Sequence, residues 1–305
     1  MTWKRTIRGI IFVVTISMIV LSTGCNSTTK DESLISKYDA VYSNLVDEES
    51  QKLLISELKN AGVKQSSIDM LIDSIIKYNN AAGNVLPVQD GFDVFSEDSA
   101  SAYNADKLER KWKNEYKDLS GRKNCRLTAF EAMGSLIDYD DAVKVTVPLF
   151  LVETNDPSVF YSNEDIDKFS VLFNGIESTE EINVDSQTKL IKEYWHQSGI
   201  LFPDNDKISL ITIWFNGQDI YTDNDQYILH CGHAAIMIHT ENDDVLLLEK
   251  LDYTFPYQLI RFPSEAKALQ YVVELYCGEI EGAVIEPIVF VNDHQLKIKN
   301  GLFVY

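Results

Sequence analysis

The sequence predicts a mixed α+β protein in which N-terminal helices pack on a C-terminal antiparallel sheet. Apolar residues recur at helical spacing up to residue 140, whereas β-branched and alternating apolar runs dominate afterwards. Helices followed by strands are typical of the α+β class, and no internal repeat interrupts the order. The chain of 305 residues is 45% hydrophobic, which is enough for a packed core. We therefore predict one domain over residues 39–305, with a helical part over 39–140 and a sheet-rich part over 141–305.

The first 24 residues have the pattern of a bacterial secretion signal. A basic start precedes an apolar run over residues 10–21, which is short for a transmembrane helix. Residues 22–25, Ser-Thr-Gly-Cys, resemble a lipobox, although Ser22 stands where Leu is usual. This resemblance implies diacylation of Cys25, and two acyl chains would hold the protein stably on a membrane. Ordinary cleavage and an uncleaved anchor are the alternatives.

Residues 25–38 are polar and lack apolar periodicity, so we expect a flexible tether between membrane and domain. The domain would lie on the extracytoplasmic face of the bacterial cell membrane, with the membrane as its partner through Cys25. The net charge of −20 leaves no basic surface for nucleic acid. Apart from Cys25, the chain has three cysteines: Cys125, Cys231 and Cys277. An odd number indicates that the domain has no disulfide framework.

Apolar periodicity and turn residues predict the individual elements. The helical part carries helices over Asp47–Asn60, from Ser66 through Ile76, over Asp106–Lys117, and after Cys125 through Ile137. In the sheet-rich part, strands are predicted over Val143–Val152, Ile208–Phe215, Tyr227–His239, Val245–Leu251 and Tyr257–Phe262. The same part has helices over Gln187–Gln197 and Pro263–Tyr276, and a closing hairpin of Glu286–Val291 with Gln295–Tyr305.

Cys125 is the candidate nucleophile. It is predicted at or near a helix N-terminus, where free N–H groups and nearby cations such as Arg126 favour a thiolate. The same N–H groups could bind an oxyanion, with Asn124 as a second donor. Asn124 and Arg126 are therefore candidate binding residues. The alternative is that Cys125 is a small core residue on the first helical turn.

His233 is the candidate base, and Glu249 its candidate partner. In a hairpin of their two predicted strands, Glu249 shares a face with His233 in either of two registers, directly opposite or one diagonal step away. A carboxylate beside a histidine fixes the tautomer and supports the imidazolium. Asp252 is a second candidate but falls on the opposite face. Glu249 could instead reach solvent or pair with a surface cation.

The cluster of His230, Cys231 and His233 does not predict a metal site. Strand alternation points His230 away from the other two side chains, so all three cannot easily meet one ion. Two Asp-Asn-Asp segments, at 204–206 and 223–225, lack the spacing of a calcium loop. We expect no metal and no cofactor. Cys231 could line the cleft or compete as the nucleophile.

The order of a cysteine at a helix start, a histidine on a strand and a polar residue on the next strand resembles the papain-like cysteine hydrolases. The NlpC-type cell-wall peptidases and amidases are the most similar, over the short segments 121–137 and 230–251. The resemblance implies a papain-like architecture with Cys125, His233 and Glu249 as the catalytic residues. Two features depart from the pattern: Arg126-Leu127 replaces small residues, and Glu249 replaces the usual Asn, Asp, Gln or His.

The chain as a whole is similar to a family of bacterial lipoproteins called domain of unknown function 4300. The segments that carry this likeness are Tyr42-Ser43-Asn44-Leu45, Gly121–Phe130 and Leu246–Phe262. The likeness implies export and lipidation but no particular activity.

Two functions are compatible with these features. The first is a thiol hydrolase that cleaves an amide or peptide bond, with peptidoglycan stem peptides as the expected substrate. The second is a non-catalytic surface lipoprotein that binds a ligand or a partner protein, with Cys125 buried. Thiol accessibility and thiol pKa distinguish them, because a nucleophile must be exposed and ionised.

Overall fold

Strands from both halves of the chain form the central sheet. The structure, a computed structural model, describes residues 37–96, 99, 102–117, 121–140, 153, 156, 160, 162–179, 183–218, 227–276, 279–280, 283–284, 287–299 and 302–305. The predicted strand Val143–Val152 lies outside these residues, as do the secretion signal and Cys25. No helix among the described residues is long and apolar enough to cross a bilayer.

Seven α-helices lie within the described residues, and a capping side chain begins six of them. They are α1 Glu48–Asn60, α2 Gln65–Ala82, α3 Ala105–Tyr116, α4 Cys125–Met133, α5 Asn163–Phe173, α6 Val184–Gln197 and α7 Glu265–Tyr276. Each cap accepts a hydrogen bond from the backbone N–H three residues on: Asp47, Asn104, Asn124, Ser162, Asn183 and Ser264. The sequence did not predict α5. The α4 helix is shorter than predicted, because the chain tightens into a 3₁₀ turn at Gly134–Leu136.

Thirteen strands fall within the described part of the chain. They are β1 Val41–Ser43, β2 Asp93–Val94, β3 Ile176–Ser178, β4 Ile208–Gln218, β5 Tyr227–His239, β6 Val245–Lys250, β7 Tyr257–Phe262, β8 Glu279–Ile280, β9 Ala283–Val284, β10 Ile288–Val291, β11 His294–Gln295, β12 Lys297–Lys299 and β13 Leu302–Val304. Nine form one antiparallel sheet in the order β11-β10-β4-β5-β6-β7-β1-β2, with β3 also paired to β5. The remaining four form two separate hairpins. The α+β class is confirmed.

The sheet includes residues from the part of the chain predicted to be helical. Strand β1 pairs with β7 on one side, where Tyr42 lies opposite Ile260, and with β2 on the other. Apolar periodicity missed β1 because a strand of three residues is too short to show alternation.

Helices cover both faces of the sheet. Tyr78 of α2 packs edge-on against Tyr257, with ring centroids 5.9 Å apart. Tyr271 of α7 packs against Phe262, with centroids 5.6 Å apart. Tyr257 and Phe262 are an odd number of residues apart on β7, so these helices lie on opposite faces.

A β-bulge at Gly232 changes the direction of the side chains along β5. His233 pairs with Ile213 and Cys231 pairs with Trp214, so Gly232 has no partner on β4. Residues that pair with adjacent positions of β4 face opposite sides of the sheet. The expectation that Cys231 and His233 share a face is therefore wrong, because it assumed an uninterrupted strand.

We predict that Gly232→Ala will destabilise the protein by about 1–3 kcal/mol, because the bulge brings Gly232 against an aromatic ring. A Cβ at this position would meet the Phe215 ring at 2.5 Å. Urea denaturation followed by circular dichroism measures the change. The control is Gly217→Ala on β4, where the nearest atom to a new Cβ is 3.7 Å away. Equal unfolding midpoints for the two variants would contradict the prediction.

Candidate active site

The N-terminus of α4 lies against an open edge of β5. One edge of β5 pairs with β4, while the other pairs with β3 through residues 227–229 and with β6 through residues 236–239. Among the described residues, no strand pairs with 230–235 on that second edge. The first turn of α4 occupies this gap: Arg126 Nη1 donates to the Cys231 carbonyl at 3.0 Å, and Cys125 Sγ lies 4.0 Å from the Gly232 carbonyl oxygen.

Glu153 holds the start of α4 in this position. Its Oε1 accepts hydrogen bonds from Asn124 Nδ2 at 2.5 Å and from Arg126 Nε at 2.7 Å. Asn124 also caps the helix, because its Oδ1 accepts the Leu127 N–H at 3.0 Å. Burial opposes the charge of Arg126, but attraction to Glu153 outweighs it and raises the Arg126 pKa. Asn124 and Arg126 therefore make intramolecular contacts, and their roles in binding substrate stay predictions.

Cys125 and His233 form a buried hydrogen-bonded pair. Cys125 is 5% exposed and His233 is 2% exposed. Burial opposes ionisation of the thiol, but attraction to His233, a hydrogen bond from its ring, and Arg126 together lower the Cys125 pKa. The backbone N–H of Ala234, on the open edge, lowers it further. Burial likewise disfavours the imidazolium, but Cys125 and Glu249 raise the His233 pKa. Both shifts favour a thiolate–imidazolium pair.

Glu249 fixes the orientation of the His233 ring. The ring Nε2 lies 3.2 Å from Glu249 Oε2. The Glu249 Oε1 already accepts hydrogen bonds from Tyr271 Oη at 2.5 Å and from Gln258 Nε2 at 2.8 Å. Because a carboxylate can only accept hydrogen bonds, the His233 Nε2 must donate to Glu249. The other ring nitrogen, Nδ1, is then the one that interacts with Cys125. Tyr276 stacks on the face of the imidazole, with ring centroids 4.4 Å apart.

The pairing of β5 with β6 is the diagonal one of the two predicted registers. Ile236 lies opposite Leu248, and continuing this register places Glu249 one diagonal step from His233 on the same face. Glu249 is only 1% exposed, so it does not reach solvent. A buried carboxylate needs partners, and it has three.

The remaining candidate residues have other contacts than the Cys125, His233 and Glu249 side chains. Burial raises the pKa of Cys231, whose Sγ donates to the His233 carbonyl at 3.1 Å, so Cys231 has the character of an ordinary core thiol. Asp252 accepts hydrogen bonds from the backbone of Thr254 and Phe255. The described residues contain no cluster of three or more potential metal ligands. Cys277 lies outside them.

Sequence reasoning missed four residues that support the site: Glu153, Gln258, Tyr271 and Tyr276. Gln258 lies directly opposite Glu249 on β7, and a buried glutamine between apolar neighbours was a usable signal. The other three come from a distant segment or from α7, and no spacing in the sequence connects them to the cysteine.

A cavity near the site does not reach the thiol. It has a volume of about 290 Å³ and lies between α2, α3 and residues 121–123. Its walls combine aromatic rings, including Tyr78 and Trp112, with cationic side chains, including Arg122. Cys125 does not line it, although Gly121–Lys123 leads directly to Asn124 and Cys125.

The fold and the site together define a mixed α+β protein with a buried cysteine–histidine–glutamate cluster. A protein-family comparison matches residues 41–296 to the family described as domain of unknown function (DUF4300), and the chain belongs to this family. No curated protein and no solved structure matched the chain significantly.

We predict that Cys125 will react with iodoacetamide as a thiolate well below pH ~8.5, the ordinary thiol pKa. A lowered thiol pKa means that the thiolate persists as the pH falls, until the pH passes below that lowered value. In His233→Ala the imidazolium is lost and Arg126 is the remaining cation beside the thiol, so burial is opposed less strongly and the midpoint should move to higher pH. Mass spectrometry of the Cys125 peptide measures the rate at each pH. Equal midpoints in the two proteins would contradict the proposed pair.

We predict that Glu153→Gln will destabilise the protein by about 3–5 kcal/mol, because it leaves the buried Arg126 charge without its partner. The measurement is the free energy of unfolding in urea. Glu241→Gln, in an exposed turn, is the control and should change it by no more than about 0.5 kcal/mol. A Glu153→Gln variant as stable as that control would show that the contact does not secure α4.

Proposed function

We propose that the protein is a thiol hydrolase that cleaves an amide or peptide bond. The observation that carries the proposal is the Cys125–His233–Glu249 cluster, in which a cysteine on the first turn of α4 is hydrogen-bonded to an oriented histidine. A helix N-terminus, an imidazole and a carboxylate are the groups that nucleophilic catalysis by a cysteine needs. The order of these residues along the chain supports the papain-like resemblance.

In the first step, the Cys125 thiolate would attack the carbonyl carbon of the substrate. The carbonyl oxygen would take the negative charge, and the Cys125 backbone N–H on the first turn of α4 could donate to it. The His233 imidazolium would give its proton to the leaving nitrogen, so that the amine departs neutral and a thioester remains. Water, deprotonated by the neutral imidazole, would then attack the thioester and release the acid and the thiol.

Glu249 would act by positioning His233 rather than by touching the substrate. Its Oε2 faces Nε2, so the Nδ1 proton is the one available for transfer. Its negative charge also stabilises the imidazolium that forms in each cycle.

We propose that the hydrolase acts on the extracytoplasmic face of the cell membrane, held by acyl chains on Cys25. The support is the signal pattern of residues 1–24 and the lipobox-like sequence that ends at Cys25. Peptidoglycan stem peptides are the proposed substrate, because they are the amide-rich polymer at that surface. The strongly acidic chain would not be attracted to nucleic acid.

A binding protein is the second candidate function, and the burial of Cys125 favours it. A side chain that is 5% exposed offers little surface to a substrate. On this interpretation the cluster would be a buried polar network, and the surface lipoprotein would bind a ligand or partner protein elsewhere. The pKa shifts favour the hydrolase, because a structural thiol has no need of a lowered pKa.

We predict that the purified protein releases peptides from peptidoglycan digests and that Cys125→Ala abolishes the release. His233→Ala should lower the rate by about 10²–10⁴-fold, because proton transfer would be lost. The products are measured by liquid chromatography with mass spectrometry. Cys231→Ala is the matched control and should retain activity, since this thiol is buried and has a raised pKa. Activity that survives in Cys125→Ala would exclude Cys125 as the nucleophile.

A further inference from the structure

We propose that Tyr103 and Asn44 position the candidate active site from a distance, by setting the orientation of the Gln258 amide that holds Glu249. This inference rests on the proposed function, since it assigns positioning residues to the same site. It also gives a role to Asn44, which lies in the Tyr42–Leu45 segment that carries the family likeness.

A buried series of hydrogen bonds leads from Asn44, the residue after β1, to the Glu249 carboxylate. Asn44 Nδ2 donates to Tyr103 Oη at 2.9 Å, and Tyr103 Oη donates to Gln258 Oε1 at 2.9 Å. Gln258 Nε2 then donates to Glu249 Oε1 at 2.8 Å. Each donor in this series of hydrogen bonds points toward the carboxylate, so the series has one direction.

This direction determines which end of the Gln258 amide faces Glu249. Asn44 already donates to the Tyr103 oxygen, so the Tyr103 proton is free to go to Gln258 and requires an acceptor there. The amide must therefore present its oxygen to Tyr103 and its NH₂ to Glu249. The reversed amide would bring its oxygen against the carboxylate, and two acceptors at hydrogen-bond distance repel each other.

This orientation of the Gln258 amide holds the Glu249 carboxylate in one position. Gln258 and Tyr271 both donate to Oε1, which leaves Oε2 to accept from His233 Nε2. If the amide reversed, Glu249 would lose a donor and its carboxylate would move away from the amide oxygen. The His233 imidazolium would then lose support, and the thiolate paired with it would become less favourable.

Tyr103 is the residue that tests the idea most cleanly. Asn44 has further contacts, because its Nδ2 also lies 3.2 Å from the Tyr257 carbonyl and its Oδ1 accepts the Val88 N–H at 3.2 Å. Tyr103→Phe removes one hydroxyl and leaves the ring, whose centroid lies 6.0 Å from that of Phe255. The hydroxyl touches neither Cys125 nor His233 in any hydrogen bond of the described residues, so a direct effect on the thiol is not expected.

The experiment is a pH titration of the Cys125 thiolate by its absorbance at 240 nm in the purified full-length protein. The titration of Cys125→Ser is subtracted to remove the other thiols. We expect Tyr103→Phe to move the thiolate midpoint upward by about one pH unit, the size expected when a hydrogen bond to a charged group is lost. Tyr194→Phe is the control, because it removes a hydroxyl that donates to the Val171 carbonyl on α5 and takes no part in the hydrogen bonds from Asn44 to Glu249. An unchanged midpoint in Tyr103→Phe, with the fold intact by circular dichroism, overturns the proposal.

A double-mutant cycle separates positioning from a general loss of stability. Gln258→Leu removes the amide, so it should shift the midpoint upward, and adding Tyr103→Phe should then have no further effect. Additive shifts would mean that Tyr103 acts by another route. If Tyr103→Phe does not fold, the Gln258→Leu variant tests the proposal by itself. An unchanged thiolate midpoint in Gln258→Leu overturns the proposal. The titration needs no substrate, so a protein with these shifts but no hydrolysis would refute the proposed function and leave the positioning chain intact.

Discussion

The contact between the first turn of α4 and the open edge of β5 is the interaction on which the rest of the site depends. At residues 230–235 this edge of β5 pairs with no strand of the described part of the chain, and its backbone groups must be satisfied in another way. Here Arg126 satisfies the Cys231 carbonyl, and the thiol of Cys125 meets the N–H of Ala234. The same contact brings the cysteine to the histidine on that strand. Without the gap between β3 and β6, a neighbouring strand would occupy the position of the helix.

Charge balance explains why so many donors surround this contact. A thiolate, an imidazolium and a carboxylate carry one net negative charge, and an unpaired charge is costly where water is excluded. Tyr271 and Gln258 spread the charge of Glu249, while the dipole of α4 and Arg126 stabilise that of Cys125. Arg126 is in turn neutralised by Glu153. The buried ions therefore depend on one another, and the loss of one partner affects the others.

The sequence predicted the parts of this structure that local patterns encode. Helix periodicity placed Cys125 on the first turn of α4, and strand alternation brought Glu249 to the face of His233. It failed where a feature depends on distant contacts. The bulge at Gly232 reverses the face of Cys231, and the Phe215 ring packs where a Cβ of residue 232 would otherwise stand. Glu153 had no local signal at all, since its partners lie 27 and 29 residues away.

The register of the sheet gives a physical reason for a long side chain at position 249. Diagonal neighbours on antiparallel strands are about 7–8 Å apart, compared with about 5 Å for residues directly opposite. The diagonal step between His233 and Glu249 therefore calls for a longer side chain to reach Nε2. A longer side chain has more rotamers to restrict, so it needs more contacts to hold it. Tyr271 on α7 and Gln258 on β7 supply that restraint, which links the length of the side chain to the number of its partners.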